Sequence, residues 1–369
     1  MEPQWSGQRR LVSAVWCALF LLPWVAMAQK VPAVFIFGDS LSDPGNNNYI
    51  HPTLSRANTL PNGIDFPEGP MATGRYTNGR TTVDIIGQLA GFKEFIPPYL
   101  APNTTGPMIL KGVSYASGAG GILDSSGYIL VGRLSMNKQL EYFANTKAQI
   151  MGMIGETAGM ELISKALYSI NMGSNDYVNN YYQPLSPIAN LTRTQVANLL
   201  VSTYKGQLTT LYNMGARKMV VAAVGPLGCI PFQLAFRFSK NGECSEKANA
   251  DVREANAGIL AMVKQLNAEL PGSQFVFADA YKGVSDLIAN PGLADLKVVN
   301  MGCCGALGRF KGVIPCVQIL SPCTDRFEYL FWDPYHPTDK ANVWLSNKFW
   351  QGAEYTYPMT VQQLVELQM

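Results

Sequence analysis

Two short motifs at opposite ends of the chain contain residue types that can perform nucleophilic catalysis. A Gly-Asp-Ser sequence ends at Ser40, and an Asp-x-x-His sequence joins Asp333 to His336. A serine hydroxyl becomes a nucleophile when a histidine accepts its proton and a carboxylate orients the histidine ring. The other histidine, His51, has no acidic residue near it in the sequence. The spacing therefore predicts Ser40 as nucleophile, His336 as base and Asp333 as the residue that orients it.

Each motif also has a purely structural interpretation. Gly-Asp-Ser is common in turns and at helix N-caps, and Asp-x-x-His can be a surface turn with a capping aspartate. Ser114 is a second candidate nucleophile, because residues 112–116 nearly match the Gly-x-Ser-x-Gly elbow of α/β-hydrolases. That match lacks its final glycine and gives Asn175 no role. We therefore favour Ser40.

The segments that must position these side chains follow the pattern of an α/β protein. Short apolar segments predict buried strands over 33–37, 112–117, 166–172, 219–224 and 274–278. Helical periodicity lies between most of them, which predicts a parallel sheet with helices on both faces. Ligands bind at the carboxyl ends of the strands in such sheets. Ser40, Gly118 and Asn175 each follow a predicted strand, so we expect them at one edge of the sheet.

The helices and loops complete this pattern. Helices are expected over 82–90, 137–166 with breaks at glycines, 195–214 and 245–270, and from about Thr338 onward. The loop that runs from Ser42 to about Arg80 is unusually long, which is typical of functional loops. The glycines at 118–121 lack the Gly-Lys-Ser/Thr of a phosphate-binding loop but allow bare N–H groups to face an oxyanion.

Four motifs, in this order, resemble those of the plant GDSL esterase/lipase family within the SGNH hydrolases. They are Gly-Asp-Ser at 38–40, Ala-Ser-Gly at 116–118, Gly-Ser-Asn-Asp at 173–176 and Asp-x-x-His at 333–336. Further segments are similar to the family's blocks, at 45–48, 63–67, 74–80, 226–229, 303–305 and 331–333. Departures are Ser114 where the family commonly has Asn, Pro44, and an apparent insertion at Met71-Ala72.

The resemblance covers essentially the whole chain after residue 28. It implies a three-layer α/β/α fold with a parallel sheet of about five strands, and hydrolysis of acyl esters through an acyl-Ser40 intermediate without cofactor or metal. It also implies an oxyanion hole formed by the backbone N–H groups of Ser40 and Gly118 and the side-chain amide of Asn175. Two alternatives remain: acyl transfer of the cutin-assembling type, and a catalytically silent cell-wall or defence binding protein.

The N-terminal segment resembles a secretory signal. Arg9-Arg10 precede an apolar run over 11–25, and Ala26-Met27-Ala28 supplies the small residues that a signal peptidase reads. The run is shorter than the ~20 residues of a membrane span and contains Pro23. We therefore predict a signal peptide over 1–28, a single hydrolase domain over 29–369, and a secreted protein, in the cell wall or apoplast if the source is a plant.

The cysteines and sequons agree with secretion. Cys17 falls within the predicted signal, and an even number of cysteines then remains, Cys229, Cys244, Cys303, Cys304, Cys316 and Cys323. In an oxidising compartment this predicts three disulfides, one of them between Cys229 and Cys244, with Cys303 and Cys304 each bonded to one of the other two. The absence of Cys-x-x-Cys and the presence of only two histidines disfavour zinc. Asn103 and Asn190 are N-glycosylation candidates.

Charge limits the possible partners. The 28 basic and 26 acidic residues give a formal charge of +2, and removal of residues 1–28 takes away Arg9, Arg10 and Glu2, which leaves 26 basic and 25 acidic residues. A balance near zero predicts no binding to nucleic acid or to an anionic membrane surface. The expected partner is a small or polymer-borne acyl ester substrate, and no transmembrane segment is expected after residue 28.

Overall fold

The computed structural model describes Met1, 29–236 and 239–368. The predicted signal peptide, apart from Met1, lies outside the described residues. In the part that is described, no helix has the length and apolar character needed to cross a bilayer.

A five-stranded, mostly parallel sheet forms the centre of the molecule and confirms the predicted fold class. Its strands are β1 (Val34–Gly38), β2 (Leu167–Asn171), β3 (Lys218–Ala222), β4 (Gln274–Ala278) and β7 (Thr356–Tyr357). They lie in the order β1-β2-β3-β4-β7, in which β1 to β4 are parallel and β7 is antiparallel to β4. A second, two-stranded sheet pairs β5 (Val298–Gly302) with β6 (Tyr329–Phe331).

The prediction of a regular strand over 112–117 is wrong. This segment runs beside β1, where the Ile36 N–H donates to the Val113 carbonyl at 3.1 Å and the Tyr115 N–H donates to the Ile36 carbonyl at 2.7 Å. Ser114 forms only isolated bridges, to Ile36 on one side and to Pro98 on the other. A single bridge on each side does not make a continuous ladder, so the segment is not a strand of the sheet. The sheet has β7 as its fifth strand.

Helices cover both faces of the sheet. On one face Phe143 of α2 packs against Phe35 and Tyr168, and on the other the Lys218 Nζ of β3 donates to the Val365 carbonyl of α10 at 3.0 Å. The helices are α1 (Thr82–Leu89), α2 (Met136–Ile154), α3 (Glu156–Lys165), α4 (Ser174–Asp176), α5 (Arg193–Asn213), α6 (Pro231–Phe236), α7 (Glu246–Glu269), α8 (Ala280–Ala289), α9 (Asp339–Gln351) and α10 (Val361–Glu366).

Local sequence signals fix the helix ends that matter for the site. Thr81 caps α1 in a reciprocal capping box with Asp84, and Thr338 caps α9 by accepting from the Ala341 N–H. Pro337 lies immediately before that cap and disfavours a helical conformation at His336, the residue that precedes it. The predicted start of α9 at about Thr338 is therefore accurate, and it leaves His336 on the turn that precedes the helix.

Three disulfides stabilise the irregular segments. Cys229 is bonded to Cys244, Cys303 to Cys323 and Cys304 to Cys316. The predicted Cys229–Cys244 pair is confirmed, and each of the two adjacent cysteines reaches a different partner, as expected. The last two bridges fasten the loop after β5 to the small sheet, next to the turn that contains His336.

Candidate active site

The structure brings together three side chains that are far apart in sequence. His336 Nε2 lies 2.7 Å from Ser40 Oγ, and His336 Nδ1 lies 2.8 Å from both carboxylate oxygens of Asp333. Asp333 and His336 are 2% and 7% exposed, whereas Ser40 is half-buried. This is the geometry in which a histidine can accept the serine proton while a buried carboxylate holds its other nitrogen.

Hydrogen bonds between side chains and the backbone hold the end of β1 and the turn that carries His336. Gly38 ends β1, its N–H donates to Gln139 Oε1 at 2.9 Å, and Gln139 Nε2 donates back to the Gly38 carbonyl at 2.8 Å. Asp333 Oδ1 also accepts from the backbone N–H groups of Tyr335 at 2.8 Å and His336 at 2.9 Å. The aspartate therefore holds both the imidazole and the turn that presents it.

The backbone N–H of Gly118, which the resemblance places in the oxyanion hole, already has an acceptor within the protein. It donates to Asp43 Oδ2 at 2.9 Å, and Asp43 Oδ1 accepts from Gly45 and Asn46 at 2.7 Å each. An N–H that already has a buried carboxylate as its acceptor is not available to a substrate oxyanion. Sequence reasoning missed Asp43, because its role depends on a contact 75 residues away.

Ala119, the residue that follows Gly118, borders the cavity beside Ser40. It has φ of +70°, and its N–H has no acceptor among the described residues. The Ser40 N–H is likewise without an acceptor in the described part of the chain. Positive φ is unusual for a residue with a Cβ, so the turn at Ala119 is held in place by its surroundings.

Asn175 lies where the sequence predicted, on the first turn after β2. One N–H of its amide donates to the Gly120 carbonyl at 2.9 Å, and its Oδ1 accepts from Asn179 at 2.6 Å. The second N–H of the amide is unused within the described chain, and the residue lines the same cavity as Ser40 and Ala119. Three donors, two from backbone and one from a side chain, thus border one space.

Two asparagines that sequence reasoning left without a role hold this region together. Asn46 Nδ2 donates to the carbonyls of Ser114 at 2.9 Å and Ala116 at 2.8 Å. Asn47 Nδ2 donates to the Gly118 carbonyl at 2.9 Å, and its Oδ1 accepts from Ser117 Oγ at 2.5 Å. The sequence signals for them were their place in a turn-forming cluster just after Ser42 and the similarity of 45–48 to a block of the family.

Three buried carboxyls lie in the segments that follow β1 and β2. Burial raises the pKa of Asp39 to about 7 and the pKa of both Asp43 and Asp176 to about 6, although backbone N–H groups donate to each of them. Asp39 Oδ2 has no hydrogen-bond partner in the described part of the chain. Burial therefore disfavours the charged form of each of these carboxyls.

The other candidates from the sequence lie away from this arrangement. Ser114 is completely buried beside β1, so its hydroxyl cannot reach a substrate. His51 is exposed, and its Nδ1 lies 2.7 Å from Arg56 Nη2. The two sequon asparagines, Asn103 and Asn190, are both exposed.

A cavity of about 970 Å³ opens beside Ser40. Ser40, His336, Asp333, Ala119 and Asn175 line it, and most of the remaining wall is apolar. This volume is at the upper end of the range for small-molecule sites, which commonly combine an apolar wall with a few convergent polar groups.

Comparisons with known proteins agree on one family. The family model described as "GDSL-like Lipase/Acylhydrolase" matches residues 34–349. A GDSL esterase/lipase of Arabidopsis thaliana is 42% identical over 357 residues, which cover 95% of each chain. A second from the same plant is 44% identical over 346 residues, covering 92% of each chain.

Among solved structures, a catalytic mutant of an acetylxylan esterase from Geobacillus stearothermophilus matches with a TM-score of 0.40 and 10% identity, covering 87% of this chain and 94% of that one. A likeness of this degree does not extend to function. The family model, by contrast, includes Ser40, Asn175, Asp333 and His336 within the residues it matches. The chain belongs to the GDSL lipase/acylhydrolase family.

Proposed function

We propose that this protein is a serine hydrolase that cleaves carboxylic esters through an acyl-Ser40 intermediate. The observation that supports this most directly is the continuous hydrogen-bonded chain from Ser40 Oγ through His336 to Asp333, at 2.7 and 2.8 Å. The family of its relatives, named esterases and lipases, supports the same reaction class.

The first half of the reaction forms the acyl-enzyme. Ser40 Oγ attacks the ester carbonyl carbon as its proton passes to His336 Nε2, and the carbonyl oxygen becomes an oxyanion. Collapse of this intermediate breaks the bond to the leaving alcohol, which takes the proton from His336. In the second half, water attacks the acyl carbon, gives a proton to His336, and the released carboxylic acid leaves Ser40 with its proton restored.

We assign the oxyanion hole to the N–H groups of Ser40 and Ala119 and to the free amide N–H of Asn175. All three border the cavity, whereas the Gly118 N–H is taken by Asp43. Asn175→Ala should lower kcat by roughly 10²- to 10³-fold with little change in KM, because the hydrogen bond strengthens only as charge develops. A variant with full kcat and a lower melting temperature would make Asn175 a purely structural residue.

The nucleophile and base can be tested with a matched pair of histidine variants. A fluorophosphonate should label Ser40, and both Ser40→Ala and His336→Ala should abolish labelling and turnover. His51→Ala is the control, because His51 is exposed and bonded to Arg56 outside the site. Equal losses in the two histidine variants, or label on another serine, would contradict the mechanism.

We also propose that the protein is secreted after removal of residues 1–28 and that 29–369 form a single hydrolase domain. The three disulfides support an oxidising compartment, since such bridges persist outside the cytosol. The exposure of Asn103 and Asn190 is compatible with glycosylation. N-terminal sequencing and glycosidase digestion of the protein from culture medium test the cleavage site and the two sequons.

A further inference from the structure

The cavity beside Ser40 extends into the space between the central sheet and the helices α1, α8 and α9, which cover one face of that sheet. Its wall includes Val220 of β3, Ala278 of β4, Val284 of α8, and Leu345 and Phe349 of α9. None of these residues lies near Ser40 in sequence. The cavity that joins them to Ser40 passes between the layer of strands and the layer of helices. We call this part of the cavity the inner arm.

The alternation of side chains along the strands explains why the inner arm lies on this face alone. Ser169 and Val220 are register partners on β2 and β3, and both line the cavity. Their neighbours Tyr168, Met219 and Val221 point to the opposite face, are completely buried and do not line it. One face of the sheet is thus filled by large side chains, while the other leaves space beside small ones such as Ser169 and Ala278.

The depth of the inner arm can be estimated along β3 and along α9, and the two values are similar. Val220 lies two residues before the carboxyl end of β3, which corresponds to ~7 Å along the strand. On the opposite wall α9 contributes residues from Asn342 to Phe349, which corresponds to ~10 Å along the helix. Val220, Leu345 and Phe349 are each only 4% exposed, so the arm is enclosed by the protein.

The charged residues of the cavity wall lie outside the inner arm. They are Asp39, Arg56, Asp333 and His336, whereas β2, β3, β4, α8 and α9 contribute no Asp, Glu, Lys or Arg to its described wall. An enclosed apolar space favours an unbranched hydrocarbon over a sugar or a charged group, because it offers few partners for polar atoms.

We propose that the inner arm binds the acyl chain of the substrate, so that the preferred esters carry a linear acyl chain of medium or greater length. This proposal rests on the proposed ester hydrolysis at Ser40. The alcohol leaves first and needs the open mouth, whereas the acyl group stays bonded to Ser40 until water releases it. A deep, enclosed arm suits the part of the substrate that remains.

A competing location for the chain is the outer rim of the cavity. Leu54, Ile129 and Phe236 line the mouth and are 73%, 38% and 52% exposed. An acyl chain lying across these residues would stay partly in water, and would gain less from burial than one in the inner arm. The two locations make different predictions for substitutions at Val220 and at Leu54.

The decisive measurement is equilibrium binding of dodecanoate by calorimetry to protein carrying Ser40→Ala, which separates binding from turnover. Adding Val220→Phe, or Val284→Phe from the opposite wall, should weaken binding roughly tenfold or more, because the added ring takes the place of several buried methylenes. Ile319→Ser is the control: Ile319 is 90% exposed and does not line the cavity. It should leave the affinity within about twofold, as expected for an exposed site.

Turnover gives the matching readout with Ser40 in place. The ratio of kcat/KM for a dodecanoyl ester to that for an acetyl ester should fall by roughly tenfold in Val220→Phe and Val284→Phe and stay unchanged in Ile319→Ser. Absence of dodecanoate binding, or its loss in Leu54→Ser but not in the two phenylalanine variants with unchanged melting temperatures, would overturn the inner arm. Dodecanoate binding without hydrolysis of any ester would support the arm and contradict the proposed function.

Discussion

At the scale of single residues, the conformation of Ala119 is the most unusual feature of the site. Its φ of +70° costs a residue with a Cβ about 1 kcal/mol or more relative to glycine. We expect Ala119→Gly to stabilise the fold by up to about 1 kcal/mol, since part of the gain is offset by the greater freedom of glycine in the unfolded chain. The N–H is retained, so kcat should change little.

Gly118→Ala is the matched comparison for Ala119→Gly. A Cβ at position 118 would overlap the hydroxyl oxygens of Tyr76 and Ser55, so this turn must shift to accept it. Urea unfolding and steady-state kinetics on both variants should therefore give opposite results, with Gly118→Ala less stable and slower. If Gly118→Ala changed neither the free energy of unfolding nor kcat, the close packing of this turn would not be needed for stability or activity.

Asp39 predicts a pH dependence of stability. Burial raises its pKa from 3.8 to about 7. Between about pH 4 and pH 7 the folded protein therefore keeps a proton that the unfolded chain has lost, and the free energy of unfolding falls as the pH rises through this range. Urea unfolding at a series of pH values should show a shallower fall in Asp39→Asn than in the unmodified protein, with the remainder due to Asp43 and Asp176. Equal slopes would contradict this role for Asp39.

At the scale of elements, a buried ion pair connects the loop after Ser40 to α1. Arg75 donates from Nε and Nη2 to the two carboxylate oxygens of Asp84, each at 2.7 Å. Burial acts against the charge of Asp84, but Arg75 outweighs it and lowers the pKa of that carboxyl. Arg75→Met should cost about 3–5 kcal/mol, because it leaves a buried carboxylate unpaired.

A double-mutant cycle separates the charge from the packing of this pair. Adding Asp84→Asn to Arg75→Met removes the orphaned charge and should recover part of the loss in urea unfolding. Arg326→Met is the control, because the Arg326–Asp65 pair is partly exposed and should be worth only about 1 kcal/mol or less. Similar costs for Arg75→Met and Arg326→Met would show that burial of the first pair has no special effect.

The elements differ in how far the sequence could predict them. Apolar runs and capping residues locate β1 to β4 and the start of α9, because these signals are local. The segment over 112–117 has the composition of a strand, but its partners on both sides allow only isolated bridges. The two-residue strand β7 is too short to leave a pattern in the sequence.

The same distinction applies to the site. Ser40, His336, Asp333 and Asn175 could be predicted because their motifs are compact and their strand ends meet at one edge. The hydrogen bond that occupies the Gly118 N–H could not be predicted, because it depends on where the carboxylate of Asp43 lies in three dimensions. The inner arm could not be predicted either, since a cavity is defined by the side chains that are small on one face of a whole sheet.

At the scale of the molecule, the disulfides link the irregular C-terminal segment to the site. Cys316 lines the cavity, and the Cys304–Cys316 bridge holds it there. Thiol counting on the denatured, unreduced mature protein should find no free thiol. Replacing both cysteines of this bridge with serine should lower the free energy of unfolding by about 2–4 kcal/mol. Four or more free thiols in the unmodified protein would contradict the pairing.

The separation of 296 residues between Ser40 and His336 also bears on how the protein is made. Synthesis proceeds from the N-terminus, so the serine leaves the ribosome long before its base exists. During most of its biosynthesis the chain therefore holds a serine without a proton acceptor, next to an unfinished sheet. Under the mechanism proposed above, a product that stops before Asp333 lacks both the base and the carboxylate that orients it, so we expect it to be inactive however well its first strands have folded.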